Sequence, residues 1–170
     1  MRNIELKARL HDREHARNVC QKLNASFHDD ICQRDTYFPV PQGRLKLRES
    51  DPGEDYLVLY HRPDVAGPKG CDYSIEVVNR SIRGILEEAL GVLAVVEKTR
   101  TLFLWRNVRI HLDEVADLGS FIELEAVLSG EHDDAEGQQQ LVFLQREFGI
   151  APDDLIETSY LEMIRGKRSG

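Results

Sequence analysis

The 170 residues carry 22 lysines and arginines against 30 aspartates and glutamates, a net charge of −8, with 41% hydrophobic and 31% charged residues. This is the composition of a globular chain long enough to bury its own core, and no apolar run reaches the 18 or more residues that span a bilayer, so no membrane association is expected. The acidic balance repels duplex nucleic acid unless the basic residues gather on one surface, which makes their placement the central question.

Residues 2–10 alternate charged and apolar side chains, which predicts a strand; the same alternation leaves no apolar core for a secretory signal, so a cytoplasmic location is expected. Asp12 is placed to cap a helix over 12–25, with Ala16, Val19, Cys20 and Leu23 at helical spacing. Strands are predicted at 30–39, 43–50, 55–62 and 71–79, with Gly-, Pro- and acid-rich breaks at 51–54 and 64–70. Ser81 precedes a second helix whose stripe is Ile82, Ile85, Leu86, Ala89 and Leu90, and Gly91 stops it. Strands follow at 94–105, 107–114 and 120–128, then a break at 129–137 that runs into a helix over 134–148 ended by Gly149. A last helix is expected from Pro152 to Gly166, since proline suits a first turn and Asp153 and Asp154 suit the positive end of the helix dipole. With no repeat or low-complexity tract, residues 1–170 read as one domain. Cys20, Cys32 and Cys71 are odd in number and lack a C-x-x-C pair, so they read as reduced packing residues rather than a disulfide or zinc framework.

Residues two apart on a strand share a face. Glu5, Lys7 and Arg9 therefore oppose Ile4, Leu6, Ala8 and Leu10; Lys46 and Arg48 oppose Leu45 and Leu47; Arg109, His111 and Asp113 oppose Val108, Ile110 and Leu112; Glu123 and Glu125 oppose Ile122, Leu124 and Ala126. One reading sends every charged face to water. The charges are sorted by sign, however: Lys98 and Arg100 repeat the Lys-x-Arg of 46–48, whereas Glu123 and Glu125 are purely acidic. If the strands close into an eight-stranded antiparallel β-barrel with helices packed outside, an α+β fold, these faces converge on one axis. Lys7, Lys46, Arg48, Lys98, Arg100 and Arg109 then call for a polyanion, and Glu5, Asp113, Glu123 and Glu125 for a cation, which a metal-bound triphosphate supplies together.

The same residues resemble the CYTH, or triphosphate tunnel, superfamily, which includes class IV adenylyl cyclases and thiamine triphosphatases. Asn3-Ile4-Glu5-Leu6-Lys7 resembles its N-terminal Glu-x-Glu-x-Lys, with Asn3 in place of the first glutamate. Gln33 to Phe38, Arg44 to Arg48 and Val96 to Arg100 are similar to its second, basic third and later Lys-x-Arg strands; Leu112 to Glu125 is similar to its metal-binding segment, and Ser159-Tyr160-Leu161 to its closing helix. The likeness implies a single domain with a triphosphate tunnel. Glu5, Asp113, Glu123 and Glu125 would hold Mg²⁺ or Mn²⁺, Lys7, Arg48, Lys98 and Arg100 would act in catalysis, and those four with Lys46, His61, Arg62 and Arg109 would bind phosphate. His61 or Arg62 is implied because Tyr60-His61-Arg62-Pro63 stands where cyclase-like members have a lysine before Gly-Pro. On the fifth strand only Glu76 of an Arg-x-Glu-x-Glu pattern remains, within Asp72-Tyr73-Ser74-Ile75-Glu76.

The function implied is conversion of ATP to cyclic AMP and pyrophosphate. A triphosphatase acting on thiamine triphosphate or inorganic tripolyphosphate is the alternative, and a non-catalytic polyphosphate or nucleotide module a third. No nucleic-acid partner is expected, because Phe103, Trp105 and Phe121 read as core rather than as a stacking platform, and a homodimer is left open. Among other residues, His11, His15 and His28 read as solvated, Tyr37 and Tyr160 as packing, and only His111 shares the charged face.

Overall fold

In a computed structural model the chain is described for residues 2–61, 65 and 67–168. The order is β1 (Arg2–Arg9), α1 (Arg13–Lys22), β2 (Ser26–Phe38), β3 (Arg44–Asp51), β4 (Asp55–His61), β5 (Lys69–Val78), α2 (Ile82–Leu90), β6 (Ala94–Trp105), β7 (Val108–Val115), β8 (Gly119–Val127), α3 (Asp134–Glu147) and α4 (Tyr160–Arg168). All ladders are antiparallel and close a barrel in the order β1-β5-β4-β3-β2-β6-β7-β8. The expected α+β barrel with helices outside is what forms.

The barrel is inverted relative to a barrel with an apolar interior. On the outer faces of β1, β7 and β8, Leu124 stands between Leu6 and Ile110 in register, and all three are fully buried. Ala16, Val19 and Cys20 of α1 and Leu141 and Leu144 of α3, with Phe148 at its C-terminal cap, seal that surface. Burying an apolar sheet face under amphipathic helices leaves the alternate, polar side chains pointing inward. At one end of the barrel a second cluster forms, where Tyr160, Leu161 and Ile164 of α4 pack with Tyr37, Val115 and Phe121 and close off that end.

Helices α1, α2 and α3 lie where the sequence places them. Asp12 accepts the His15 N–H at 2.8 Å, Asp133 accepts the Glu136 N–H at 2.8 Å, and Gly91 ends α2 at φ 73°. The last helix differs. Residues 152–154 form only a 3₁₀ turn, and the α-helix starts at Tyr160. The reason lies in β1, whose ladder with β5 covers only Arg2 to Glu5. Beyond it, Leu155 bridges Ala8 and the Ile156 N–H donates to the Lys7 carbonyl at 2.9 Å. An unpaired strand edge has bonds to offer, and residues 155–156 give up helical geometry to take them. β2 also begins earlier than expected, at Ser26, with an irregularity between Phe27 and Asp29.

Leu124→Ala should leave a cavity under the helices and cost about 2–5 kcal/mol, read as a lower urea midpoint with an unchanged slope.

Candidate functional site: the charged tunnel

The barrel encloses a cavity of about 570 Å³, within the range of pockets that take organic ligands. Its closed end carries the strongest charges. Asp35 on β2 lies across from Arg48 on β3, and Tyr37 across from Lys46. Arg48 donates to both Asp35 oxygens at 2.7 Å, Lys46 donates to Oδ2 at 2.9 Å, and Lys98 on β6 reaches Oδ2 at 3.4 Å. Burial alone would raise the Asp35 carboxyl, but the Arg48, Lys46 and Lys98 charges together outweigh it and hold it well below the usual carboxylate range. The two lysines are lowered by burial: it pushes Lys98 down to about 7, and with the Arg48 charge it brings Lys46 down to about 8.

A second network crosses β6, β7 and β8. Arg100 grips Asp113 in a bidentate pair at 2.7 and 2.6 Å and also reaches Glu123 at 2.5 Å. Lys7 sits 3.0 Å from the other Glu123 oxygen and 3.8 Å above the Tyr160 ring, and the Tyr160 hydroxyl donates to Asp113 at 3.1 Å. Burial would raise Glu123, yet the Lys7 and Arg100 charges keep it well below its ordinary value. Burial and the Arg100 charge lower His111. Nearer the open end, Glu5 and Glu125 are direct cross-strand partners. Asn3 donates a short hydrogen bond to Glu125, and Arg109 lies 3.5 Å from the same carboxylate.

Among the described residues, the buried lumen atoms Asn3 Oδ1 and Gln33 Oε1 have no hydrogen-bond partner, and His111 Nδ1 stands 3.7 Å from Glu123, beyond hydrogen-bond distance. Buried polar atoms cost free energy when unpaired, so their presence around one cavity points to an occupant that pairs them.

The sequence matches the CYTH domain family over residues 1–160. The chain belongs to the CYTH family. A candidate adenylate cyclase of Methanocaldococcus jannaschii is 25% identical over 175 residues, covering 96% of this chain and 98% of that protein. A Pyrococcus horikoshii protein superposes with a TM-score of 0.79 at 23% identity, covering 94% and 98% of the two chains. A Hippeastrum protein first assigned as an adenylyl cyclase, and described as having a dominant triphosphatase activity, superposes with a TM-score of 0.65 at 17% identity over 97% and 96%.

Within this CYTH domain, Glu5, Lys7, Lys46, Arg48, Lys98, Arg100, Arg109, Glu123 and Glu125 all line the tunnel, as does His111. Four expectations need correction or restriction. Asp113 is fully buried with both oxygens taken by Arg100 and one also by Tyr160, so it faces cations rather than the cavity. His61 is exposed and stands on the β4 face opposite to the lumen-lining Tyr60. Arg62 lies outside the described residues. The fifth-strand match is out of phase by one: Asp72, Ser74 and Glu76 are exposed, and Tyr73 and Ile75 hold the lumen positions. Asp35 was missed, although it shares a face with Gln33 and Tyr37. Tyr160, read as packing, is buried but forms the floor beneath Lys7 and Lys98.

A divalent ion needs oxygen donors. Among the described residues no three His, Cys, Asp or Glu side chains form a ready cage. The paired Glu5 and Glu125 beside the unpartnered Asn3 Oδ1 fit instead an ion that takes its other ligands from phosphate and water, which is how Mg²⁺ is commonly held.

Asp35→Asn leaves three buried cations without their shared anion and should cost about 3–5 kcal/mol at pH 7. Because the folded Asp35 carboxyl lies below its unfolded value, its contribution is present above the ordinary carboxylate pKa and lost as pH falls through the folded one. Urea unfolding of the two proteins should therefore differ fully at pH 7, and the difference should begin to shrink only below about pH 4, closing as pH falls through the folded Asp35 value.

Proposed function

We propose that the tunnel binds a triphosphate and cleaves one of its phosphoanhydride bonds, with cyclase-type chemistry on ATP as the leading reaction. The observation that carries this reading is the closed end, where Lys46, Arg48 and Lys98 converge on a single carboxylate and Lys7 and Arg100 lie alongside. Phosphoryl transfer asks the protein mainly for positioning and charge neutralisation. These cations would take the non-bridging oxygens of the outer phosphates, with Asp35 and Asp113 fixing the planes of Arg48 and Arg100.

In the cyclase reaction the ribose 3′-hydroxyl gives its proton to water as its oxygen attacks the α-phosphorus, the bond to the bridging oxygen breaks, and pyrophosphate leaves with that electron pair. The growing negative charge on pyrophosphate falls on the end of the tunnel that holds Lys46, Arg48 and Lys98. Mg²⁺ or Mn²⁺ held by Glu5 and Glu125 with phosphate oxygens would supply further charge neutralisation and polarise the phosphate under attack. Glu123, gripped by Lys7 and Arg100, would orient those cations. The M. jannaschii relative supports the cyclase reading; attack of water on the terminal phosphate is the hydrolytic alternative, and the same assay separates them.

Incubation with ATP and Mn²⁺ should yield cyclic AMP and pyrophosphate in equal amounts; orthophosphate alone identifies a triphosphatase. Glu125→Gln should lower kcat at least a hundredfold, and unchanged turnover would remove the metal assignment.

Binding should also carry a pH signature. A polyanion raises the depressed Lys98 and Lys46, so at pH 8 the complex takes up protons that the free protein lacks. Tripolyphosphate affinity should fall from pH 7 to 9, with a heat of binding that depends on the ionisation enthalpy of the buffer.

A further inference from the structure

The cations at the closed end are not all held alike. Arg48 and Arg100 each lie in a bidentate grip, on Asp35 and on Asp113. The lysines also have a carboxylate within reach, but each of them stands against tyrosine as well. Lys7 is 3.8 Å and Lys98 5.4 Å from the centre of the Tyr160 ring, and Lys46 is 5.5 Å from the centres of both Tyr37 and Tyr60. Tyr37, Tyr60 and Tyr160 are buried and line the cavity.

Tyr160 is the ring that two lysines share. It is the first residue of α4; its hydroxyl donates to Asp113 at 3.1 Å, and its ring meets Phe121 edge to face with centroids 5.1 Å apart. Those two contacts fix the plane of the ring and so the direction of its face. Packing needs only the volume of the ring, whereas a cation needs the face, where the negative end of the quadrupole lies.

A ring and a carboxylate act differently on an ammonium group. The carboxylate neutralises it and competes with phosphate for the same charge. The ring attracts it without carrying a net charge, so the group is held while its charge stays available to a ligand. Lys98 has the greater need of such a partner, because it shares Asp35 with Lys46 and Arg48 and is the furthest of the three from it, at 3.4 Å.

Resting on the triphosphate reading above, we propose that Tyr160 is a positioning residue of the phosphate site: its ring face holds the ammonium groups of Lys7 and Lys98 where phosphate oxygens require them, so that the last helix, and not the barrel alone, sets the geometry of the closed end. Without that face the two lysines turn towards Glu123 and Asp35, and a ligand has to draw them back. A cation–π contact removed from water is worth about tenfold or more in an equilibrium constant.

The test separates the electrostatics of the ring from its volume. Tyr160→Phe keeps the face and loses the hydroxyl; pentafluorophenylalanine incorporated in place of Tyr160 keeps the aromatic volume and reverses the charge distribution of the face. Wild type and both variants are titrated calorimetrically with methylene-bridged, uncleavable tripolyphosphate in the presence of Mg²⁺, with circular dichroism and the urea midpoint confirming the fold. Tyr160→Phe should bind within about threefold of the wild type, and the fluorinated protein about tenfold or more weakly than Tyr160→Phe. Equal affinity of the two folded variants overturns the positioning role and leaves the triphosphate reading in place. Failure of the wild-type protein to bind overturns the triphosphate reading and the positioning role with it.

Discussion

Burying several like charges in one cavity is costly unless each has a counter-ion within reach. Asp35 meets that constraint for Lys46, Arg48 and Lys98, and Asp113 with Glu123 meets it for Arg100 and Lys7. The carboxylates inside the barrel come close to balancing its cations, so the tunnel can fold before any ligand arrives. The balance is not uniform. Three cations share one carboxylate at the closed end, and that local excess is what an anion would meet. The same pairings fix geometry, since a bidentate contact sets the plane of a guanidinium in a way that a lone charge cannot.

The inverted polarity of the barrel follows from the same arrangement. Apolar residues at alternate positions of β1, β7 and β8 need cover, and α1 and α3 provide it from outside. The inner face is then free to be polar on one arc and apolar on the other. β1, β3 and β6 to β8 carry the charged arc, whereas β4 and most of β5 carry tyrosines and aliphatics.

Much of this was legible before any coordinates. Strict two-residue alternation in 3–9, 46–48, 98–100, 109–113 and 122–126 identifies both the barrel and most of its lining, because a sheet can place such residues only on opposite faces. What was missed has physical causes. Asp35 sits on a strand whose outward neighbours Arg34 and Thr36 are also polar, so no contrast marks its face. On β5 residue type suggested a match at Asp72 and Glu76, yet face is set by register, and a shift of one reverses it. His61 failed for the same reason, lying next to a lumen residue and therefore outside the lumen. The start of α4 depended on which backbone groups of β1 were left without partners, a fact about distant pairing that local composition does not contain.

The docking of residues 155–157 has a temporal side. Their contacts with Ala8 and Lys7, and the hydrogen bond that Lys69 gives to the Glu157 carbonyl, join β1 and the start of β5 to residues made long after them. During synthesis the barrel emerges from the ribosome with one side of β1 open and its floor absent until Tyr160 follows. A nascent chain stalled or cut before Leu155 would present that bare strand to its neighbours, so residues 155–168 act as the stopper that turns a sticky intermediate into a finished vessel.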